Sequence, residues 1–145
     1  MDNIQGQTSS TAPLVSADTS VPTPTVLLVE DDRSLRRYLE VVLRRQGYKV
    51  ILAADGLEAM KVTLTVEVDA VVTDAIMPNL NGHELVRFLR NTPQLAKLPI
   101  VLLSAIEAKD VKKDARQADV YLLKPVSPEE LTKCLAKLLK RNWKK

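Results

Sequence analysis

The sequence predicts an α/β fold in which five parallel strands form one sheet with helices on both of its faces. Three observations lead to this prediction. Five short runs rich in Val, Ile and Leu alternate with segments whose apolar residues recur at helical spacing. Continuous apolar runs are typical of strands buried on both faces, as in parallel sheets. Several runs end abruptly on polar residues, and right-handed crossovers would bring those ends to one edge of the sheet.

The first half of the chain predicts two strands and two helices. A strand over 26–29 precedes a helix that Asp32 is expected to cap and whose apolar positions fall within 35–43. Gly47 is expected to end that helix, because glycine readily adopts the left-handed conformation found there. The second strand covers 49–53, and Asp55 is expected to cap a second helix that runs to about residue 66.

The third strand, 70–74, is the element around which the site is predicted. It is rich in β-branched residues and ends on Asp74, and Pro78 then breaks the chain into a turn because proline cannot donate to a strand ladder. Asn81 and Glu84 match a capping box at the start of a third helix, which should end near residue 91. A carboxylate at the carboxyl end of a buried strand is a candidate functional group.

The remaining elements follow the same alternation. A fourth strand is predicted over 99–104, a polar fourth helix over 108–117 and a fifth strand over 120–123. Ser127 is the expected cap of a fifth helix, and Cys134 lies on its apolar face.

Length and charge limit the function classes. The 145 residues suit one domain over 26–140, with a disordered Ser/Thr/Pro-rich leader over 1–25 and a basic tail over 141–145. The net charge is +3, but four cations lie in the last six residues, so the nearly neutral body argues against a broad nucleic-acid-binding face. One cysteine cannot form an internal disulfide, and neither a signal peptide nor a run of roughly 20 apolar residues is present. These features predict a soluble cytoplasmic protein.

Polar groups gather at the predicted strand ends. Glu30 and Asp31 follow the first strand, Asp74 ends the third, Ser104 ends the fourth and Lys124 follows the fifth. Carboxylates that meet at one edge raise one another's pKa unless a cation neutralises them, and oxygen ligands with open positions for water suit Mg²⁺. A carboxylate between a metal ion and an ammonium group is a competent nucleophile for phosphoryl transfer.

These residues stand in the motifs V-E-D-D, T-D-A-I-M-P-N-L-N-G, L-L-S-A and Y-L-L-K-P. With them, the chain over about 26–139 resembles the receiver domain of two-component response regulators. The resemblance implies a flavodoxin-like (βα)5 fold with strand order 2-1-3-4-5. It also implies that Asp74 takes a phosphoryl group from the phosphohistidine of a sensor histidine kinase or a histidine phosphotransfer protein. The implied magnesium ligands are Asp31, Asp74, the backbone carbonyl of Ile76 and, through metal-bound water, Glu30.

The resemblance assigns further roles. Lys124 would pair with the phosphoryl group, Ser104 and Tyr121 would form the switch, and the Lys124–Pro125 bond would be cis. Phosphorylation would then alter the face formed by the fourth helix, fifth strand and fifth helix, for binding a protein partner or a second copy. We expect a stand-alone regulator that catalyses its own phosphorylation and slow dephosphorylation, is not a turnover enzyme, and contacts neither nucleic acid nor the membrane interior.

Some features depart from the pattern or have other interpretations. Ser104 and Lys124 are 20 positions apart, which is short for the family, and residues 117–119 lack the usual glycine. A phosphorylation-independent docking module is therefore the alternative function. A phosphatase with an aspartate nucleophile is disfavoured, because Ile76 occupies the position of its general acid. Ile76 and Ile106, which in the family flank the path of attacking water, are expected to slow hydrolysis, and His83 is expected to be exposed and inert.

Overall fold

The computed structural model describes residues 23–106 and 117–142. Its strands are β1 (Thr25–Val29), β2 (Lys49–Ala53), β3 (Ala70–Asp74), β4 (Ile100–Ser104) and β5 (Val120–Leu123). Its helices are α1 (Arg33–Arg45), α2 (Gly56–Thr65), α3 (Gly82–Arg90) and a last helix (Pro128–Asn142), and a short 3-10 turn (Pro93–Leu95) follows α3. Each of these strands and helices lies within one or two residues of its predicted position.

The sheet is parallel throughout, with the order β2-β1-β3-β4-β5. This confirms the predicted fold class and strand order. In the register, Val29 lies opposite Thr73, and Asp74 lies opposite Leu103. The carboxyl ends of β1, β3 and β4 therefore meet at one edge, as expected for strands that all run in the same direction.

Two apolar layers enclose the sheet. Side chains alternate along each strand, so that Leu27 and Val71 belong to one buried cluster whereas Leu28 and Val72 belong to the other. The first cluster packs under α2 and α3, and the second packs under α1 and the last helix. Every residue of β3 and β4 is buried. The strand ends that carry Asp74 and Ser104 are thus held on a rigid platform.

The helix ends confirm the predicted capping residues. In each case a side-chain oxygen accepts the backbone N–H three residues later: Asp32 for α1, Asp55 for α2, Asn81 for α3 and Ser127 for the last helix. Glu84 completes the capping box of α3. Gly47 has φ +96° after the end of α1, and the N–H of Tyr48 reaches the carbonyl of Leu43, which satisfies a helix carbonyl at this terminus.

Three predicted segments fall mostly outside the described residues. They are the leader over 1–25, the fourth helix over 108–117 and the basic tail over 141–145. Among the helices that the structure describes, none combines the length and apolarity required to cross a lipid bilayer.

Candidate functional site

The site is built around Asp74 at the end of β3. Its side chain is 8% exposed, and its Oδ1 atom lies 2.9 Å from the Nζ atom of Lys124, which follows β5. Lys124 Nζ also lies 3.7 Å from Oε1 of Glu30, beyond the end of β1. Residues that are far apart in sequence are thus in contact, because three parallel strands deliver them to one edge.

Three carboxylates form one group at this edge. Glu30, Asp31 and Asp74 each offer an oxygen, and these atoms all lie within 4.8 Å of one another. Glu30 is 1% exposed, whereas Asp31 faces solvent. One oxygen of Glu30 accepts the backbone N–H of Asp32 at 3.1 Å, but Oε1 has no hydrogen-bond partner among the described residues. A buried carboxylate oxygen without a hydrogen bond is costly; Lys124, 3.7 Å away, offsets part of that cost, and a metal ion would offset more.

The pKa shifts of Glu30 and Lys124 also indicate that the three carboxylates require positive charge beside them. Burial raises the pKa of Glu30 to about 7; the backbone N–H of Asp32 opposes this rise, and the negative charge of Asp74 adds to it. For Lys124, burial by itself would lower the pKa, but its contacts with Asp74 and Glu30 outweigh burial and raise the pKa. Lys124 therefore remains a cation while it lies against two carboxylates.

The donor set fits a magnesium ion. All three side chains present hard oxygen atoms, and the exposed Asp31 leaves one side open to water, which suits an ion that keeps part of its hydration shell. Ile76, the fourth implied ligand, lies in the loop after β3, and the residue is 62% exposed. Its proposed contact is through the backbone carbonyl, so the exposed apolar side chain does not conflict with that role.

The predicted switch residues lie on β4 and β5. Ser104 is 2% exposed, and its Oγ atom accepts the backbone N–H of Ile106 at 3.0 Å. Tyr121 lies on β5, and its hydroxyl oxygen is enclosed without a hydrogen-bond partner in the described part of the chain. Burial raises the pKa of Tyr121, and the nearby Ser104 side chain partly offsets that rise. Their joint role as a switch stays a prediction.

Two arginine contacts were not predicted from the sequence. Arg36 Nη1 donates to the backbone carbonyl of Glu30 at 2.7 Å, so α1 holds the acidic turn in place. Arg90 pairs with Asp119 at 2.9 Å, and the same Asp119 oxygen accepts the N–H of Ile100 at 2.8 Å. Asp119 stands in the stretch where the family usually has glycine, but that departure did not identify Arg90 as its partner.

Two residues outside the acidic group complete the comparison with the predictions. His83 was expected to be exposed but is half-buried. It follows Gly82, whose N–H donates to the carbonyl of Ala75, so this end of α3 begins directly against the loop after β3. Cys134 is half-buried against the layer under the last helix, where its Sγ atom donates to the carbonyl of Leu131. Burial raises the pKa of the Cys134 thiol to about 11, so it is a poor nucleophile and a poor metal ligand.

Comparison with known proteins points to one family. A model described as the response regulator receiver domain matches residues 26–136. Among curated proteins, response regulator MprA from Mycobacterium sp. (strain KMS) is 41% identical over 119 residues, which cover 81% of this chain and 51% of that protein. The chain spans about half the length of the curated relatives it matches.

Solved structures give the same result. A putative response regulator from Chloroflexus aurantiacus superposes with a TM-score of 0.78 at 34% identity, covering 83% of this chain and 100% of that one. Response regulator protein TrrA from Thermotoga maritima, in complex with Mg²⁺-BeF, superposes with a TM-score of 0.74 at 29% identity, covering 81% and 100%.

Proposed function

This chain belongs to the family of response regulator receiver domains, and on that premise we propose that Asp74 accepts a phosphoryl group from a phosphohistidine. The donor is a sensor histidine kinase or a histidine phosphotransfer protein. Members of the family are signalling proteins of two-component systems, not turnover enzymes. The observation that supports this assignment most is the 2.9 Å contact between Lys124 and Asp74 beside two further carboxylates. We assign the receiver domain to residues 26–140.

The chain's own residues account for the transfer step. A carboxylate oxygen of Asp74 forms the new bond to phosphorus while the donor's phosphorus–nitrogen bond breaks, and the imidazole leaves with the bonding electron pair. Lys124 lies against Asp74 and is raised in pKa, so a fixed positive charge stands where the phosphoryl oxygens arrive. Ser104 accepts a backbone N–H with its oxygen and so keeps its own hydroxyl proton to donate to the phosphoryl group.

Receiver domains bind Mg²⁺ at an acidic site, and the acidic group here is consistent with that property. Asp31, Asp74 and the carbonyl of Ile76 would hold the ion, with Glu30 contacting its water. The bound ion would supply positive charge that offsets the carboxylates and the oxygens of the transferred group. Glu30 would be held for this role by its burial and by the N–H of Asp32.

The phosphorylated protein would signal by a shift in population. Ser104 would turn toward the phosphoryl group, and Tyr121 would follow, since both lie on the adjacent strands β4 and β5. This would favour one state of the face formed by residues 108–117, β5 and the last helix. A protein partner or a second copy of the chain would recognise that state.

A small phosphodonor tests the proposal. Wild-type protein incubated with acetyl phosphate and Mg²⁺ should gain the mass of one phosphoryl group, mapped to Asp74. Asp74→Asn should gain none, chelation of the metal should stop the reaction, and Lys124→Ala should slow it by about 100-fold because the compensating charge is lost. Labelling of Asp74→Asn at the wild-type rate would contradict the proposal.

The alternative is a docking module whose partner binding does not depend on phosphorylation. It is favoured by the short span between Ser104 and Lys124, since that span includes a large part of the proposed output face. Beryllium fluoride with Mg²⁺, a mimic of the phosphoryl group, separates the two. A switching receiver should change amide exchange in β5 and the last helix, whereas a docking module should bind the mimic without such a change.

A further inference from the structure

The loop that follows the phosphoacceptor is fastened to a neighbouring turn. This loop, residues 75–81, is called here the acceptor loop. Asn79 Nδ2 donates to Asp55 Oδ2 at 2.8 Å, and the backbone N–H of Gly56 donates to the carbonyl of Leu80 at 3.0 Å. Both contacts join the acceptor loop to the turn between β2 and α2, and neither was anticipated from the sequence.

The anchor on the α2 side is itself well held. Asp55 uses its other oxygen, Oδ1, to accept the N–H of Glu58 at 2.8 Å, which caps α2. Glu58 in turn accepts the N–H of Ala54 at 2.7 Å, and this closes a box around the helix start. The hydrogen bonds from Glu58 and Asn79 lower the pKa of Asp55. The carboxylate therefore stays charged and bound at both oxygens.

The backbone on both sides is shaped for this contact. Asn79 has φ +67°, a left-handed conformation that asparagine tolerates better than most residues. A Cβ atom at Gly56 would lie 2.0 Å from the carbonyl oxygen of Leu80, so only glycine fits without moving the loop. The turn and the acceptor loop thus meet backbone to backbone, with Asp55 and Asn79 bridging them.

The acceptor loop is anchored at both ends, and Ile76 lies between the two anchors. At the start, the N–H of Ala75 donates to the carbonyl of Leu103 at 2.8 Å. At the far end, Asn79 and Leu80 are tied to the α2 turn. Ile76 lies between these points, and Met77 is buried at 8% exposure. The path of the backbone at Ile76, and hence the position of its carbonyl, is set by both anchors.

We propose that Asp55 and Asn79 are positioning residues, which hold the acceptor loop so that the carbonyl of Ile76 is aimed at the metal position. This inference rests on the proposed function, in which that carbonyl is a magnesium ligand. Neither residue touches the reacting atoms. They act through the loop, as groups outside a metal's direct ligands commonly do.

A double-mutant cycle tests the pair. Asp55→Ser keeps a capping oxygen for α2 but lacks the second oxygen, and Asn79→Gly keeps the left-handed turn but lacks the amide. Each variant should weaken Mg²⁺ binding by about tenfold in a calorimetric titration, the lower end of the usual effect of groups that orient metal ligands. The double variant should be no weaker than either single variant, because both remove the same hydrogen bond. Amide exchange across residues 75–80 should speed up equally in all three.

The control is Val68→Ala, which truncates a buried residue at the opposite edge of the sheet. This variant should lower the melting temperature about as much as the Asp55 and Asn79 variants do, but leave Mg²⁺ affinity unchanged. If Asp55 and Asn79 affected Mg²⁺ binding only through overall stability, Val68→Ala would weaken binding as well. Unchanged affinity and unchanged exchange in Asn79→Gly would overturn the inference. Absence of labelling at Asp74 in wild-type protein would instead reject the proposed function, while the exchange measurement would still report whether Asp55 and Asn79 hold the loop.

Discussion

Replacement of Gly82 by alanine should destabilise this protein, although the same change at the start of most helices is harmless or favourable. Gly82 is the first residue of α3 and is buried. Its N–H donates to the carbonyl of Ala75 at 2.9 Å, so α3 begins directly against the acceptor loop. A Cβ atom at this position would lie 2.2 Å from the backbone oxygen of Asp74 and 2.8 Å from Cα of Ala75.

Two opposing effects set the size of the change. Alanine favours the helix over glycine by about 1 kcal/mol at most. Overpacking in a dense interior costs about 1–3 kcal/mol, and here the obstructing atoms of Asp74 and Ala75 are backbone atoms that cannot rotate away. Because these atoms are backbone, we take the upper part of that range, about 2–3 kcal/mol. Subtracting the propensity gain leaves a net loss of about 1–2 kcal/mol, or roughly 4–12 °C in Tm. The peptide after Asp74 must also shift, so phosphorylation should slow.

Urea unfolding of metal-free protein measures the first effect, and the rate of labelling by acetyl phosphate measures the second. Gly47→Ala is the matched control, because its Cβ would meet nothing within 4 Å and its cost arises only from φ +96°. That control should lose about 1–2 kcal/mol of stability and label at the wild-type rate. A Gly82→Ala variant as stable as wild type, or more stable, would refute the reasoning.

Other changes test separate parts of the structure. Arg90→Ala removes hydrogen bonds to three backbone carbonyls and to Asp119. The free energy of unfolding should therefore fall by about 2–3 kcal/mol, and a fall of less than about 0.5 kcal/mol would contradict this. Polar residues in place of Ile76 and Ile106 should shorten the lifetime of the aspartyl phosphate; an unchanged decay would reject the shielding hypothesis. Burial raises the pKa of Cys134 to about 11, so a smaller fraction of its thiol is ionised at pH 8. Iodoacetamide at pH 8 should therefore modify Cys134 about 100-fold more slowly in the folded protein than in the unfolded chain, and the rate should rise toward pH 11.

The local features of the fold were predictable because each depends on residues close in sequence. The capping box of Asn81 and Glu84 joins positions three apart, and the left-handed end at Gly47 depends on that residue's missing side chain. The acidic edge was predictable for another reason. Parallel strands with right-handed crossovers must deliver their carboxyl ends together, whatever the details of packing.

Contacts between side chains from different elements were not predictable in this way. Asp119 looked like a departure from a family pattern, yet its carboxylate receives Arg90 and the N–H of Ile100. Asp55 was correctly predicted as a helix cap, but its second oxygen binds Asn79 from a loop 24 residues away. Such pairs depend on strand register and on the reach of each side chain, and neither quantity can be obtained from spacing along the chain.

By itself, the sequence determined the order of strands and helices, their caps and the edge where acids and Lys124 gather, because these follow from apolar periodicity, local hydrogen bonding and the handedness of crossovers. Only the tertiary structure decided that Lys124 lies 2.9 Å from Asp74 and that Glu30 is buried with a pKa of about 7. Distance, burial and the resulting electrostatics arise where segments remote in sequence pack together, and they are properties of that packing.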